Sequence, residues 1–521
     1  MKPVFAAGLS LLLLWQPAHA LGKRDTLTVA FGAESTTIDP NKAAAGVDYY
    51  FISQMFEQLV RQDPSGKTVN WLAKSYNVNS SGEGFTIDVT LRDGVKFHNG
   101  DPLTSEDIEF AFERARDPKV SRLPHLQAAI SKFEIVDPLR FRLHFSEGDA
   151  TYISDNLRLW AIPKKYFQSV GETEFANRPV GTGPWKFVSR SVKQEIRFEA
   201  FVDYWNKEQG PTVKNMVIKV IPEDLTRVAA LKTGAVDLID AAPLAAVAEL
   251  KANPDLKSAS LNTGNNLYIQ FGTHVANSPF NDLRVRQAAA HAIDMDAIIK
   301  SVLFGQAERY EQLGVSEAGY DAALKPYPYD PKKAKQLLAD AGYPRGFETP
   351  CINLITPREP NIKEYGEAVY AYFGAVGIRC RLQGAEYSAW LTMKRRWPEG
   401  SSAKTMEGVI SDMYGHGGLP GDPGTAWQAM LHSFEPGKGL GVSSYSTDAE
   451  VDRLIEAQRR EMDREKRIEI LKKIAQLKHE RLLGGVTTYR PLATFVWRKD
   501  VKFTPWPSPG YWHQMQQVGF E

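Results

Sequence analysis

The chain has 521 residues, a formal net charge of +1, 43% hydrophobic and 24% charged residues. That length calls for more than one folding unit, and the composition is that of ordinary globular protein. A charge balance so close to zero argues against a nucleic-acid partner, which would need a basic stripe, while 11 Trp and 20 Tyr suit a site that grips a ligand with aromatic faces.

Residues 1–20, MKPVFAAGLSLLLLWQPAHA, combine Lys2, an apolar run at Leu11–Leu14 and a small-x-small end at Ala18-His19-Ala20. They read as a secretory signal peptide, too short in its apolar part for a membrane span. No cysteine follows the cleavage point and no later stretch is long and apolar enough to cross a bilayer, so the sequence predicts a soluble periplasmic product.

Thr26–Ala30 reads as a strand, followed by the turn-rich GAESTTIDP. Gly46–Arg61 has helical spacing and places Asp48 and Tyr49 near its start. From Gly66 to Val136 the pattern is one of short strands and turns. Phe85–Arg92 alternates as a half-buried strand, Val95–His98 is a second short one, and Thr104/Ser105 cap the helix SEDIEFAFERA. Phe133–Val136 and Arg140–Phe145 form a hairpin through Asp137-Pro138. This segment predicts a separate α+β subdomain. PVGTGPWKF (Pro179–Phe187) then makes a tight loop into a strand, with Trp185 placed to flank a cleft. Ile196–Phe201, Tyr204-Trp205, Met216–Ile221 and Val236–Asp240 continue the strand pattern, and Asp224–Thr233 is a helix. The first strand should join this sheet, making the preceding subdomain an insertion.

A second unit begins near Leu267 with the strand LYIQF. Leu283–Leu303 reads as one amphipathic helix, and Asp330–Ala341 as a helix with cap and terminator. Cys351 and Cys380, the chain's 2 cysteines, sit in strand-like runs on either side of a helical pattern from Ile362 to Ala375. Adjacent parallel strands of a βαβ unit would let them bridge in an oxidising compartment; two reduced core thiols are the alternative. Val409–Trp427, VISDMYGHGGLPGDPGTAW, runs from a strand into a Gly-rich loop that carries Asp412, Tyr414, His416 and Asp422. Such a loop lets backbone approach a ligand, yet it matches no nucleotide fingerprint. A charged helix from Asp448 to Glu480 and a strand pair, Val486–Tyr489 and Thr494–Val496, close the chain. Enzyme signatures fail: there is no GxSxG or HExxH, and the lone SxxK, Ser401–Lys404, lies in a polar loop. A secreted hydrolase is the remote reading.

The ordered succession of FEQLV (Phe56–Val60), WLAKSYNV (Trp71–Val78), LRDGVKFHNGDPLTSEDIEFAFER (Leu91–Arg114), PVGTGPWKF, DYW (Asp203–Trp205), AALKTGAVDL (Ala229–Leu238), FNDLRVRQAAAHAID (Phe280–Asp294) and GDPGTAW resembles the family-5 extracellular solute-binding proteins of peptide, opine and nickel ABC importers. The resemblance implies an α/β, two-lobed periplasmic-binding-protein fold of type II, in the large cluster with an extra α+β subdomain, hinged between lobes. The expected division is lobe I at 21–62, 181–265 and 486–521, the extra subdomain at 63–180, and lobe II at 266–485. It further implies a monomeric, non-enzymatic protein without cofactor that closes on a small ligand and delivers it to membrane permease subunits.

By the same resemblance the ligand should touch Glu34, Asp48, Tyr49, Tyr414, His416, Gly417, Gly418, Asp422 and Trp427, with Trp185 beside them. Peptide-binding members carry a Trp and then an Asp shortly before the Asp-Pro, the Asp holding the peptide ammonium; this chain reads DMYGHGGLPGDP there. Opines, oligosaccharides or glycosides and metal chelates therefore stand as alternatives to a peptide. His416 has no partner at metal-ligand spacing, so the sequence assigns no metal site.

Overall fold

The computed structural model describes residues 24–521 except 44–45, 64–66, 82–83, 123, 153–155, 263–264, 274, 311–318, 356–358, 387–388, 391–408, 416–422, 436–440, 442–443 and 506–514, and gives only backbone for 409–415. The proposed signal peptide, and His416, Gly417, Gly418 and Asp422, lie outside the described residues.

Strand Thr26–Phe31 pairs in parallel with Asn215–Val220 on one side and with Leu238–Ile239 on the other. The chain thus leaves this sheet after its first strand and returns far downstream, as expected for an insertion. Antiparallel Glu195–Ala200 and Trp185–Ser191 complete that edge. The inserted segment builds its own sheet, ordered Ala73–Ser81, Gly84–Leu91, Arg140–Phe145, Ile130–Asp137. Helix Ser105–Arg116 covers it. The Asp107 carboxylate accepts from the Thr104 N–H at 2.9 Å and hydroxyl at 2.8 Å, which fixes the helix start. Ile108 and Phe112 enter the subdomain core, while Ala111 packs into the core of the main lobe. Val95–His98 is not a strand but a turn with a single bridge, Lys96 to Pro102, and Tyr204-Trp205 likewise lies outside any strand.

In the second unit Asn265–Phe271 pairs antiparallel with Val409–Gly415, which continues through parallel Phe347–Leu354 and Ile378–Ala385. Helix Ile362–Val376 makes the right βαβ span between those last two strands, and Cys351 and Cys380 are joined with Cα atoms 5.3 Å apart. Of the two sequence alternatives, the bridge is the one formed. The predicted Leu283–Leu303 helix is two helices, Leu283–Ala292 and Met295–Ser301, because the Asp294 carboxylate accepts from the Ala297 N–H at 2.9 Å and starts a new one. Asp463 likewise splits the charged helix into Ala449–Arg460 and Arg464–Arg481.

The two sheets share one strand. Val486–Arg498 is continuous over 13 residues, not a pair of short strands. Its first half pairs with Asn265–Phe271, and its second half with Leu256–Asn262 and Leu238–Ile239. This strand carries the chain from one sheet to the other as extended backbone, which bends by small φ/ψ changes spread over several residues.

Candidate functional site

Parallel strands leave their ligand-binding crevice at their carboxyl ends. Here that edge of lobe I is formed by Phe31, Val220 and Ile239, and from it springs the loop leading to helix Gly46–Met55. Three acids of this region are engaged within the protein. Glu34 is gripped by Arg190, with Nε at 2.8 Å, and accepts from the Lys193 N–H at 2.8 Å. Asp48, buried, accepts from the Thr36 N–H at 2.7 Å, the Thr36 hydroxyl at 2.9 Å and Ser35 Oγ at 3.2 Å. Asp39 pairs with Arg114 at 2.6 Å, and burial pushes its carboxyl up against the lowering pull of that guanidinium. These bonds set the loop in one shape before any ligand arrives. Tyr49 lies stacked on Trp160, with centroids 6.2 Å apart, and its hydroxyl donates to the Ala43 carbonyl; burial pushes the phenol up to about 12.

Trp185 and Trp427 are corrections to the sequence-based expectation of cleft-facing aromatics. Trp185 is wholly buried in the lobe I core, and Trp427 sits in a lobe II core cluster with Tyr268, Leu431, Ile455 and Leu471. Both rings therefore stabilise the walls rather than present a face. Tyr414 stands in the ladder opposite Asn266.

The end of helix Gly46–Met55 departs from the predicted run to Arg61 for a physical reason. A Cβ at Gly181 or Gly183 would collide with the Met55 backbone, so the GTG loop lies flush on the last helical turn, and Gly183 N–H bonds the Met55 carbonyl at 2.8 Å. Beyond it Glu57 turns inward. Its carboxylate accepts from Trp71 Nε1 (2.6 Å), Tyr204 hydroxyl (2.6 Å), Thr182 hydroxyl (2.9 Å) and Trp205 Nε1 (3.0 Å). Burial pushes the carboxyl up, and those four bonds oppose the shift. Three motifs widely separated in sequence thus converge on one buried acid that holds lobe I to the inserted subdomain. His98 reinforces the joint: Nδ1 accepts from the Gly181 N–H at 3.3 Å and Nε2 donates to the Gly183 carbonyl at 2.9 Å. Desolvation lowers this imidazole from 6.5 to about 4.

Two residues that the sequence left without a role stand near the crevice. Asp240 follows the short strand Leu238–Ile239 and faces Gly32; one of its carboxylate oxygens lacks a partner among the described residues, and burial pushes the group up to about 6. Asn266, wholly buried opposite Tyr414, has neither amide atom satisfied among the described residues. An unmet buried amide costs roughly 1–3 kcal/mol. The carboxyl-edge rule applied to VDLID would have found Asp240; nothing in the sequence distinguishes Asn266.

A second junction links the lobes away from the shared strand. The carboxyl end of helix Ala449–Arg460 meets the loop after Phe145: Arg459 Nη2 bonds the buried Asp149 at 3.0 Å, the Ala150 N–H donates to the Arg459 carbonyl at 2.6 Å, and Arg460 pairs with Glu147 at 3.4 Å.

The model of the bacterial extracellular solute-binding proteins, family 5 (middle), matches residues 67–435. Heme-binding protein A of Haemophilus influenzae is 32% identical over 394 residues, 70% of this chain and 68% of the relative. Di/tripeptide-binding protein 3 of Pseudomonas aeruginosa is 28% identical over 501 residues, 90% of each. The periplasmic binding protein DppA of Helicobacter pylori, solved with the peptide STSA, superposes with a TM-score of 0.77 at 24% identity, covering 95% of this chain and 98% of that one. Two α/β lobes joined by a shared strand, an inserted α+β subdomain, and a family match over most of the length lead to one conclusion: the chain belongs to the family-5 extracellular solute-binding proteins.

Proposed function

We propose that this protein is the periplasmic binding component of an ABC importer, a non-enzyme that closes on a peptide or peptide-like solute and presents it to membrane permease subunits. The observation that carries the reading is the strand Val486–Arg498, which pairs with strands of both sheets and so joins the two lobes. A ligand that touches both lobes only when they meet favours closure by the difference in its affinity for the two states. The residues 1–20 direct export in this account. Relatives named for di- and tripeptides support the solute class.

Glu34, Asp39 and Asp48 are already bonded within lobe I, so the ammonium of a peptide needs another carboxylate on that wall. Asp240, at the strand ends and with one oxygen that has no partner among the described residues, fits that need. Calorimetric titration of the mature protein with di- and tripeptides tests the reading, against opines, glycosides and metal chelates as competitors. Asp240→Asn should weaken an amine-bearing ligand about ten-fold or more, since a charge-assisted bond contributes about 1.5–3 kcal/mol. Affinity should also fall as pH drops below about 6, where Asp240 becomes protonated. Equal affinity of wild type and variant would remove Asp240 from the site; binding of an opine but no peptide would overturn the solute class.

A further inference from the structure

We propose that lobe II carries a divalent-cation site, of a kind that suits zinc, formed by His432, Glu435 and Glu456. The three offer one imidazole nitrogen and two carboxylates whose ligand atoms all lie within 4.8 Å of one another. They come from two elements of one rigid cluster. His432 stands on the turn after helix Pro423–Met430, its N–H bonded to the Trp427 carbonyl at 3.2 Å, and Glu456 projects from helix Ala449–Arg460. Trp427, Leu431, Val451 and Ile455 pack those elements together.

The imidazole orientation is the second, independent observation. The His432 side chain is 2% exposed, and Nδ1 lies 2.8 Å from the Ser433 carbonyl. A carbonyl oxygen only accepts, so Nδ1 carries the hydrogen; in the neutral ring Nε2 then presents its lone pair toward Glu456 Oε1, 3.4 Å away. That contact is closed either by a proton on Nε2 or by a metal cation standing between the ring and the carboxylate, and the titration below separates the two. Donors placed about 2.1 Å from a tetrahedral zinc stand about 3.4 Å apart, so the observed separation is already that of one tetrahedral edge. The bond from Nδ1 to a backbone carbonyl is the outer contact that fixes the tautomer of a metal-binding histidine. Asp452, which accepts from the Ser433 N–H at 2.8 Å, holds the turn from below. Glu456, with 45% of its side chain exposed, can rotate onto the ion, the Glu435 carboxylate stands within the same cluster, and water completes the shell. One imidazole with two carboxylates favours zinc over calcium, which takes oxygen ligands alone. None of the three is a residue that the sequence assigns to the solute, so the test does not depend on which solute binds. Bound there, the ion cross-links the segment after the Gly-rich loop to the helix that ends in Arg459.

The test uses tag-free mature protein stripped with a chelator, then titrated with zinc against a chromophoric indicator, with cobalt absorption as a second readout. The expected result is one zinc per chain and visible cobalt bands of four-coordinate intensity. Glu456→Gln, an exposed change that leaves the core intact, should weaken zinc about ten-fold or more, and His432→Asn should abolish it, while His416→Ala leaves it unaltered. Absence of zinc binding at about 100 µM, or equal affinity in wild type and Glu456→Gln, would overturn the site. Loss of binding in His416→Ala would place the ion elsewhere and overturn it equally.

Discussion

Replacing Arg459 by Met keeps the side-chain stem and removes the guanidinium that reaches from lobe II to Asp149 at 3.0 Å and to Gln428 at 2.7 Å. The Asp149 side chain is 2% exposed and, among the described residues, would retain only its bonds from Thr151, at 3.0 and 2.6 Å within its own loop. Breaking a fully buried ion pair costs about 3–5 kcal/mol. Arg459 is 27% exposed, and the backbone bond from Ala150 to its carbonyl survives the change. We therefore expect a loss of about 1–2 kcal/mol from the closed form, a shift of roughly 5–30-fold in the ratio of closed to open. When the open form dominates the free protein, apparent affinity falls in proportion to the closed fraction. Titration calorimetry should show a Kd raised roughly 5–30-fold, and small-angle scattering should show a larger ligand-free radius of gyration. Asp149→Ala should give a similar loss, and the double variant little more than either. A Kd within two-fold of wild type, with unaltered scattering, would refute the idea that this junction biases closure.

Other consequences follow from the same geometry. Glu57→Gln presents an amide N–H to a pocket of donors, leaving at least one of Trp71, Tyr204, Thr182 or Trp205 without an acceptor; urea midpoints should report a loss of about 2–4 kcal/mol. Cys351→Ser with Cys380→Ser opens a link between residues 29 apart, and the chain-entropy relation gives about 3–4 kcal/mol, read as a lowered Tm in differential scanning calorimetry. His98 has a folded-state pKa near 4 against 6.5, so its contribution is complete above about 6.5 and fades as pH falls toward 4. The slope is at most about 1.4 kcal/mol per pH unit. Urea denaturation across that window should show the slope in wild type and its loss in His98→Gln; an unchanged slope would remove His98 from the acid response.

The motif order was legible because it records packing. WLA, GTGPW and DYW recur around Glu57, and their residues are ones that only a buried, many-donor joint requires. Element types were legible for the same reason: Thr26–Phe31 and Gly84–Leu91 alternate as their sheets demand. Boundaries failed where a distant contact decides them. Met55 ends its helix because Gly181 and Gly183 press on it, and Val486–Arg498 runs unbroken because strands from both lobes pair along it. The internal partners of the acids at the loop after the first strand were not legible, for a like reason. Glu34 carries no local sign that Arg190, 156 residues away, already holds it. Trp185 and Trp427 resemble ligand platforms in composition, but only the assembled cores show that their faces are covered.

The central claim is that the lobes form a clamp for a peptide-like solute. Titrating ligand-free mature protein with a di- or tripeptide, then recovering the peptide by mass spectrometry, tests it most directly. The account predicts one site per chain, a negative heat-capacity change on binding, and recovery of intact peptide. Cleaved peptide, or no heat from any peptide while another solute class binds one to one, would contradict it.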